Sequence, residues 1–173
     1  MAVYKIIVTG SFNSGKTTFV KCISDIKPIT TDKPVSEDNL KSIKHLTTVA
    51  MDFGILNIDK DLVLHIYATP GQERFDVVYS SLVKNALALI VLGDATNRKS
   101  LENMGVYYRK FLALKKLPAV FALTKTDLSN VMPEDEIESI MSNTPSDIPI
   151  LRINTNNKKD VKDAVLTALE QLM

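Results

Sequence analysis

Eight residues, Gly10-Ser11-Phe12-Asn13-Ser14-Gly15-Lys16-Thr17, constrain the chain most, because they fit G-x-x-x-x-G-K-[ST] and stand between an apolar run and a helix-period run. In that pattern a glycine-rich turn aims successive backbone N–H groups inward, and the next helix presents its positive end to the same point. Lys16 adds a point charge and Thr17 a hydroxyl suited to magnesium; Gly10, Asn13, Ser14, Gly15 and Thr18 complete the expected lining. At ordinary residue frequencies a chain of this size meets the pattern by chance about once in two hundred tries. A merely glycine-rich turn is therefore the weaker reading, and the flanks weaken it further. Val3 to Val8 reads as a β-branched buried strand and Lys16 to Ser24 as a helix, which predicts a nucleoside triphosphate site.

At 173 residues, 45% hydrophobic and 24% charged, the chain suits one well-buried domain spanning 1–173. A net charge of +1 creates no global field for nucleic acid or an anionic bilayer, so neither is an expected partner. The single cysteine, Cys22, cannot form an internal disulfide and reads as a small buried hydrophobe in a reducing cytosol. No stretch reaches the roughly 18 apolar residues of a membrane span. The amino terminus is unlike a secretion signal, the C-terminal residues lack a prenylation cysteine, and residue 2 is Ala rather than a myristoylated Gly. The expectation is a cytoplasmic protein with no intrinsic membrane anchor.

Strand-like runs (Val3 to Val8, Val49 to Asn57, Leu62 to Ala68, Ala86 to Leu92, Ala119 to Leu123, Ile148 to Ile153) alternate with helix-period segments. The helices are expected near Lys16 to Ser24, Phe75 to Lys84, Ser100 to Leu114, Pro133 to Met141 and Asp160 to Leu172. Such alternation predicts an α/β fold: a six-stranded, mostly parallel sheet with helices on both faces. The short connection around Asp59-Lys60 cannot hold a crossover helix, so the second and third strands must form an antiparallel hairpin. Pro149 places the last strand at a sheet edge. The polar stretch Asp25 to Leu46 reads as one long loop.

In such sheets ligands sit beyond the carboxyl ends of the strands. After the third strand, Gly71 could offer its N–H to a terminal phosphate and Gln72 could orient an attacking water, with Lys16 offsetting charge. After the fifth comes Thr124-Lys125-Thr126-Asp127, and after the sixth Asn154-Thr155-Asn156. An aspartate in the base pocket accepts from the ring N–H and exocyclic amine of guanine, whereas adenine has no matching donor pair at that edge. Unpaired buried groups cost on the order of 1 to 3 kcal/mol each, so the expected base is guanine.

Over nearly its whole length and in motif order, the chain resembles the Ras superfamily of small GTPases. The residues that carry this are Gly10 to Thr17, Thr48 before Met51-Asp52-Phe53, Gly71 to Phe75, Thr124 to Asp127 and Asn154 to Asn156. The Thr69-Pro70-Gly71-Gln72 form is most similar to the prokaryotic branch, and Thr-Lys-x-Asp also occurs in Rho-type members. The resemblance implies a phosphate-loop G-domain that binds GTP and GDP with Mg2+ and hydrolyses GTP. It implies that Thr48 closes onto the metal and γ-phosphate, that Lys125 packs along the base, and that the Thr155 N–H meets the guanine carbonyl. Protein effectors, a GTPase-activating protein and an exchange factor are the implied partners. The apolar residues Phe75, Val78, Tyr79 and Leu82 near the second switch, partly buried in one state and presented in another, could form an effector surface, with simple helix packing explaining some of them.

One position departs from the family. The aspartate expected at the end of the third strand is Ala68. A hairpin turn centred on Lys60 would put Asp52 opposite Ala68, where it either supplies the missing carboxylate, joining Thr17 and Thr48 as metal-site residues, or hydrogen-bonds the hairpin backbone. The activity expected is a switch with slow hydrolysis; the alternative is a nucleotide-bound scaffold that hydrolyses little. An adenine-specific ATPase conflicts with Asp127.

Overall fold

A computed structural model describes residues 2–30, 51–70 and 77–173, without the side chains of 77 and 78. In chain order the described elements are β1 (Ala2–Gly10), α1 (Lys16–Ile23), β2 (Asp52–Asn57), β3 (Leu62–Ala68), α2 (Val77–Leu82), β4 (Ala86–Asp94), α3 (Arg98–Leu114), β5 (Ala119–Thr124), α4 (Glu134–Met141), β6 (Ile150–Arg152) and α5 (Lys158–Glu170). They build a six-stranded sheet in the order β2-β3-β1-β4-β5-β6. The β2–β3 pair is antiparallel and the other pairs are parallel.

The alternation of side chains along each strand divides the interior in two. On β1, Ile6 and Val8 join Phe19, Val20 and Ile23 of α1 and Val161, Ala164, Val165 and Ala168 of α5. Ile7 joins the opposite layer with Tyr79, Met104, Phe111 and Ile137, under α2, α3 and α4. Because both faces are covered, β1, β4 and β5 read as nearly unbroken apolar runs. Leu172, within the helix expected over Asp160 to Leu172, lies beyond the end of α5 and is 48% exposed.

Chain direction through the sheet positions the site. The chain leaves β1, builds the β2–β3 hairpin on one side of it, then crosses to β4 on the other. The carboxyl end of β1 is therefore a topological switch point, where a crevice opens between diverging connections. β6 is an edge strand, as expected, but Pro149 immediately precedes it instead of lying within it, and its carbonyl accepts from Phe121 N at 2.9 Å.

Two expectations are corrected here. The segment after α1 does not begin as a free loop: Asp25 N donates to Ile55 O at 2.7 Å, and Ile29 exchanges both backbone hydrogen bonds with Phe53. Tyr79 and Leu82 are 1% and 3% exposed, and Tyr79 stacks on Phe111 with ring centroids 4.6 Å apart. They are core residues rather than an effector surface, because α2 is a six-residue helix that docks its apolar side under α3. Phe75 and the side chain of Val78 lie outside the described residues.

Close packing of β4 against α3 gives a direct test. A Cβ on Gly93 would lie 2.2 Å from Met104 Sδ and 2.9 Å from Leu101 Cδ2. Gly93→Ala is expected to lower unfolding free energy by about 1–3 kcal/mol through overpacking, read from the denaturant midpoint at unchanged m-value.

Candidate nucleotide site

The phosphate loop is shaped by backbone that few residues adopt. Gly10 has φ +145° and Gly15 φ +102°, and between them Asn13 takes the left-handed region at φ +63°. Gly10 is required twice over, since a Cβ there would also meet Leu92 O at 2.4 Å and Ser14 Oγ at 2.8 Å. Gly15 is the N-cap of α1 and makes no side-chain capping hydrogen bond, which leaves the first amides of that helix for a ligand. Phe12, at the tip of the loop, is 78% exposed.

Lys16 is buried in its own loop, donating to Gly10 O at 2.8 Å and Ser11 O at 2.7 Å. Burial pulls its pKa down to about 8, opposed by the nearby Asp52 carboxylate, which favours the charged form. Such a cation is poorly solvated and predisposed to exchange carbonyl dipoles for phosphate oxygens.

The register of the hairpin decides the metal question. Asp52 pairs with Ala68, so the turn is centred where the sequence predicts and Asp52 shares the face of the missing aspartate. Thr17 Oγ1 donates to Asp52 Oδ2 at 2.5 Å, and Asp52 is buried. A buried carboxylate beside the loop hydroxyl, with the Lys16 ammonium nearby, is the oxygen-rich setting a hard cation such as Mg2+ requires. The residues present therefore fit the metal. Below them, Thr9 and Thr69 share a buried hydroxyl hydrogen bond of 2.8 Å, and Thr69 N donates to Val8 O, so the chain leaves β3 anchored to β1.

At the base side, Thr124 Oγ1 donates to Ser14 O at 2.8 Å, and Lys125 Nζ donates to Asn13 O at 2.8 Å. Thr155 is buried and its methyl lies 3.2 Å from where a Gly15 Cβ would be. Asn154 Oδ1 accepts from Asn156 N in a tight turn, and Asn154 N donates to Asp160 Oδ2 at 2.8 Å. Asp127 is solvent-exposed at the same end of the sheet. The structure thus brings Gly10, Asn13 to Thr17, Asp52, Thr124, Lys125 and Thr155 together at the carboxyl end of the sheet; Thr18 lies on the first turn of α1. Thr48, Gly71 and Gln72 lie outside the described residues. Two residues missing from the sequence reading are Asp94, which pairs with Lys125 at 2.7 Å, and Asp160. Asp94 carried a signal: it is a charge ending the apolar run of β4, at the strand end where ligands bind.

A switch-point crevice with a glycine-rich phosphate loop, a buried lysine and a hydroxyl–carboxylate pair defines a phosphate-loop nucleotide-binding domain. The Ras family model matches residues 5–173. An uncharacterised protein of Methanocaldococcus jannaschii is 31% identical over 127 residues, covering 73% of each chain. The Ras-related protein Rab-1D of Dictyostelium discoideum is 28% identical over 71% of this chain and 63% of its own length. Rab-13 of Bos taurus is 28% identical over 58% of this chain and 45% of its own length, so the alignments span about half to two thirds of the Rab relatives. The chain belongs to the Ras family, a family of small GTP-binding switch proteins.

The close approach at Gly10 makes a second prediction. Gly10→Ala forces a Cβ against backbone at a φ that L-residues rarely adopt, costing about 2–4 kcal/mol. Thermal unfolding should shift down, and GDP should no longer raise the midpoint; a variant stabilised by GDP like the parent would contradict the loop geometry.

Proposed function

We propose that the protein is a GTP-hydrolysing switch whose guanine nucleotide spans from the phosphate loop to Asp127, with Mg2+ held at Thr17, Asp52 and Thr48. The observation that supports this best is the 2.5 Å contact between Thr17 Oγ1 and Asp52 Oδ2, which puts a carboxylate where Ala68 leaves none. It also speaks against a scaffold that has lost its metal site. Bound there, held by Thr17, Asp52 and Thr48, the metal would offset the negative charge of the phosphates.

The chain's own residues have separate tasks. Loop amides and the first turn of α1 hold the phosphates, and Lys16 supplies a charge that strengthens as negative charge develops. Gln72 orients the attacking water and the Gly71 N–H meets the terminal phosphate. Asp127 accepts from guanine, the Thr155 N–H donates to its carbonyl, and Lys125 lies along the ring. The loop containing Thr48 and the segment from Gly71 would differ between GTP and GDP states, and protein effectors, an activating protein and an exchange factor would read or set that difference. A cytoplasmic location is part of this proposal. No helix among the described residues is long and apolar enough to cross a membrane.

Hydrolysis should be slow on its own. A charge-stabilising arginine is worth about 10³ to 10⁵ in rate, and residues 25–48 contain none. Single-turnover phosphate release near the rates of fully activated GTPases would contradict this. For the metal, Asp52→Ala should weaken Mg2+ affinity about 10 to 100-fold, measured as the Mg2+ dependence of GDP retention. Unchanged dependence would assign Asp52 to the hairpin alone. Affinities for GTP, GDP and ATP with and without Mg2+ test the base assignment, and equal binding of GDP and ADP would refute it.

A further inference from the structure

Asp94 closes the apolar run of β4 with a side chain only 8% exposed. A carboxylate that far from water is unfavourable unless its oxygens are paired. Here Oδ2 takes Lys125 Nζ at 2.7 Å, while Oδ1 accepts from Thr96 N at 2.8 Å and Thr96 Oγ1 at 2.6 Å. Burial pushes its pKa up, but the donors from Lys125 and Thr96 outweigh burial and hold it below the usual carboxylate range.

Lys125 is the unusual partner. Its backbone sits in the left-handed region at φ +59°, which a lysine adopts only when its surroundings compel it. From there the side chain reaches both Asn13 O on the phosphate loop and Asp94. A lysine stem has many rotamers, and a pocket wall made from one must be ordered before a ring can lie against it. Pinning Nζ between the phosphate loop and a buried carboxylate does that ordering in advance.

We infer that Asp94 is a positioning residue, acting through Lys125 to preorganise the base wall and so set how slowly guanine nucleotide leaves. This rests on the guanine-nucleotide reading above. The competing role is purely structural: Asp94 also stabilises the corner between β4 and α3, where its own N–H donates to Ser100 Oγ at 3.0 Å.

The test is release of a fluorescent GDP analogue from the full chain with Mg2+, chased by excess GDP, in the parent, Asp94→Asn, Lys125→Met and the double variant. Asn keeps an acceptor for Thr96 and the shape of the corner but loses the charge facing Lys125. Asp94→Asn should accelerate release about tenfold, at the low end for a truncated charge pair because Lys125 is 26% exposed. The double variant should release no faster than Lys125→Met, within about twofold, because the two residues act as one. An unchanged rate in Asp94→Asn, or effects that multiply in the double variant, would overturn the inference. If the parent retains GDP no better than an ADP analogue, the functional reading itself fails; if the parent retains GDP and Asp94→Asn is silent, only the positioning role does. Should Asp94→Asn not fold by circular dichroism, Lys125→Arg serves. Arginine can keep the pair and should release several-fold more slowly than Lys125→Met, and equal rates would overturn the inference.

Discussion

Two hydrogen bonds onto the phosphate loop hold the site together. Thr124 Oγ1 reaches Ser14 O and Lys125 Nζ reaches Asn13 O, each at 2.8 Å, joining segments 110 or more residues apart in sequence. They fix the distance between the phosphate loop and the end of β5, the two ends that the proposed guanine nucleotide would span. Both anchors come from the end of β5, a strand buried along its length, so the spacing inherits the rigidity of the sheet. Had the loop been tied only to α1, a ligand spanning both ends would have had to order one of them on binding, with the loss of affinity that entails.

The metal corner follows from strand alternation. Side chains on a β-pair alternate faces with a period of two, so a carboxylate moved from one strand of a hairpin to its directly opposite partner stays on the same face. That is the relation of Asp52 to Ala68, and the contact with Thr17 shows where the carboxylate points. A slip of one residue would have turned Asp52 away from the loop. The turn at Asp59 guards against such a slip, since its side chain accepts from the backbone of Asp61 and Leu62.

Much of this was legible in the residues. The bounds of β3, the antiparallel hairpin and its register came from periodicity and turn length, and the edge position of the last strand from Pro149. What escaped had physical causes. In α2, apolar residues recur on nearly every side of a single turn and a half, so sequence could not say that Tyr79 and Leu82 point inward. The residues after α1 are polar and proline-rich, and their pairing with the edge of β2 is a tertiary contact without a local signature. Asp94 looked like the ordinary end of a strand because its meaning depends on the left-handed turn of Lys125, which no pattern announces.

The central claim is that one molecule is gripped at both ends by a rigid frame. The most direct measurement is calorimetric binding of GDP beside guanosine and pyrophosphate, separately and mixed. A frame of fixed span predicts GDP at least about a thousandfold tighter than either fragment, because joining the two parts makes the second contact intramolecular. Pyrophosphate binding as tightly as GDP, or a mixture of the fragments matching it, would contradict the account.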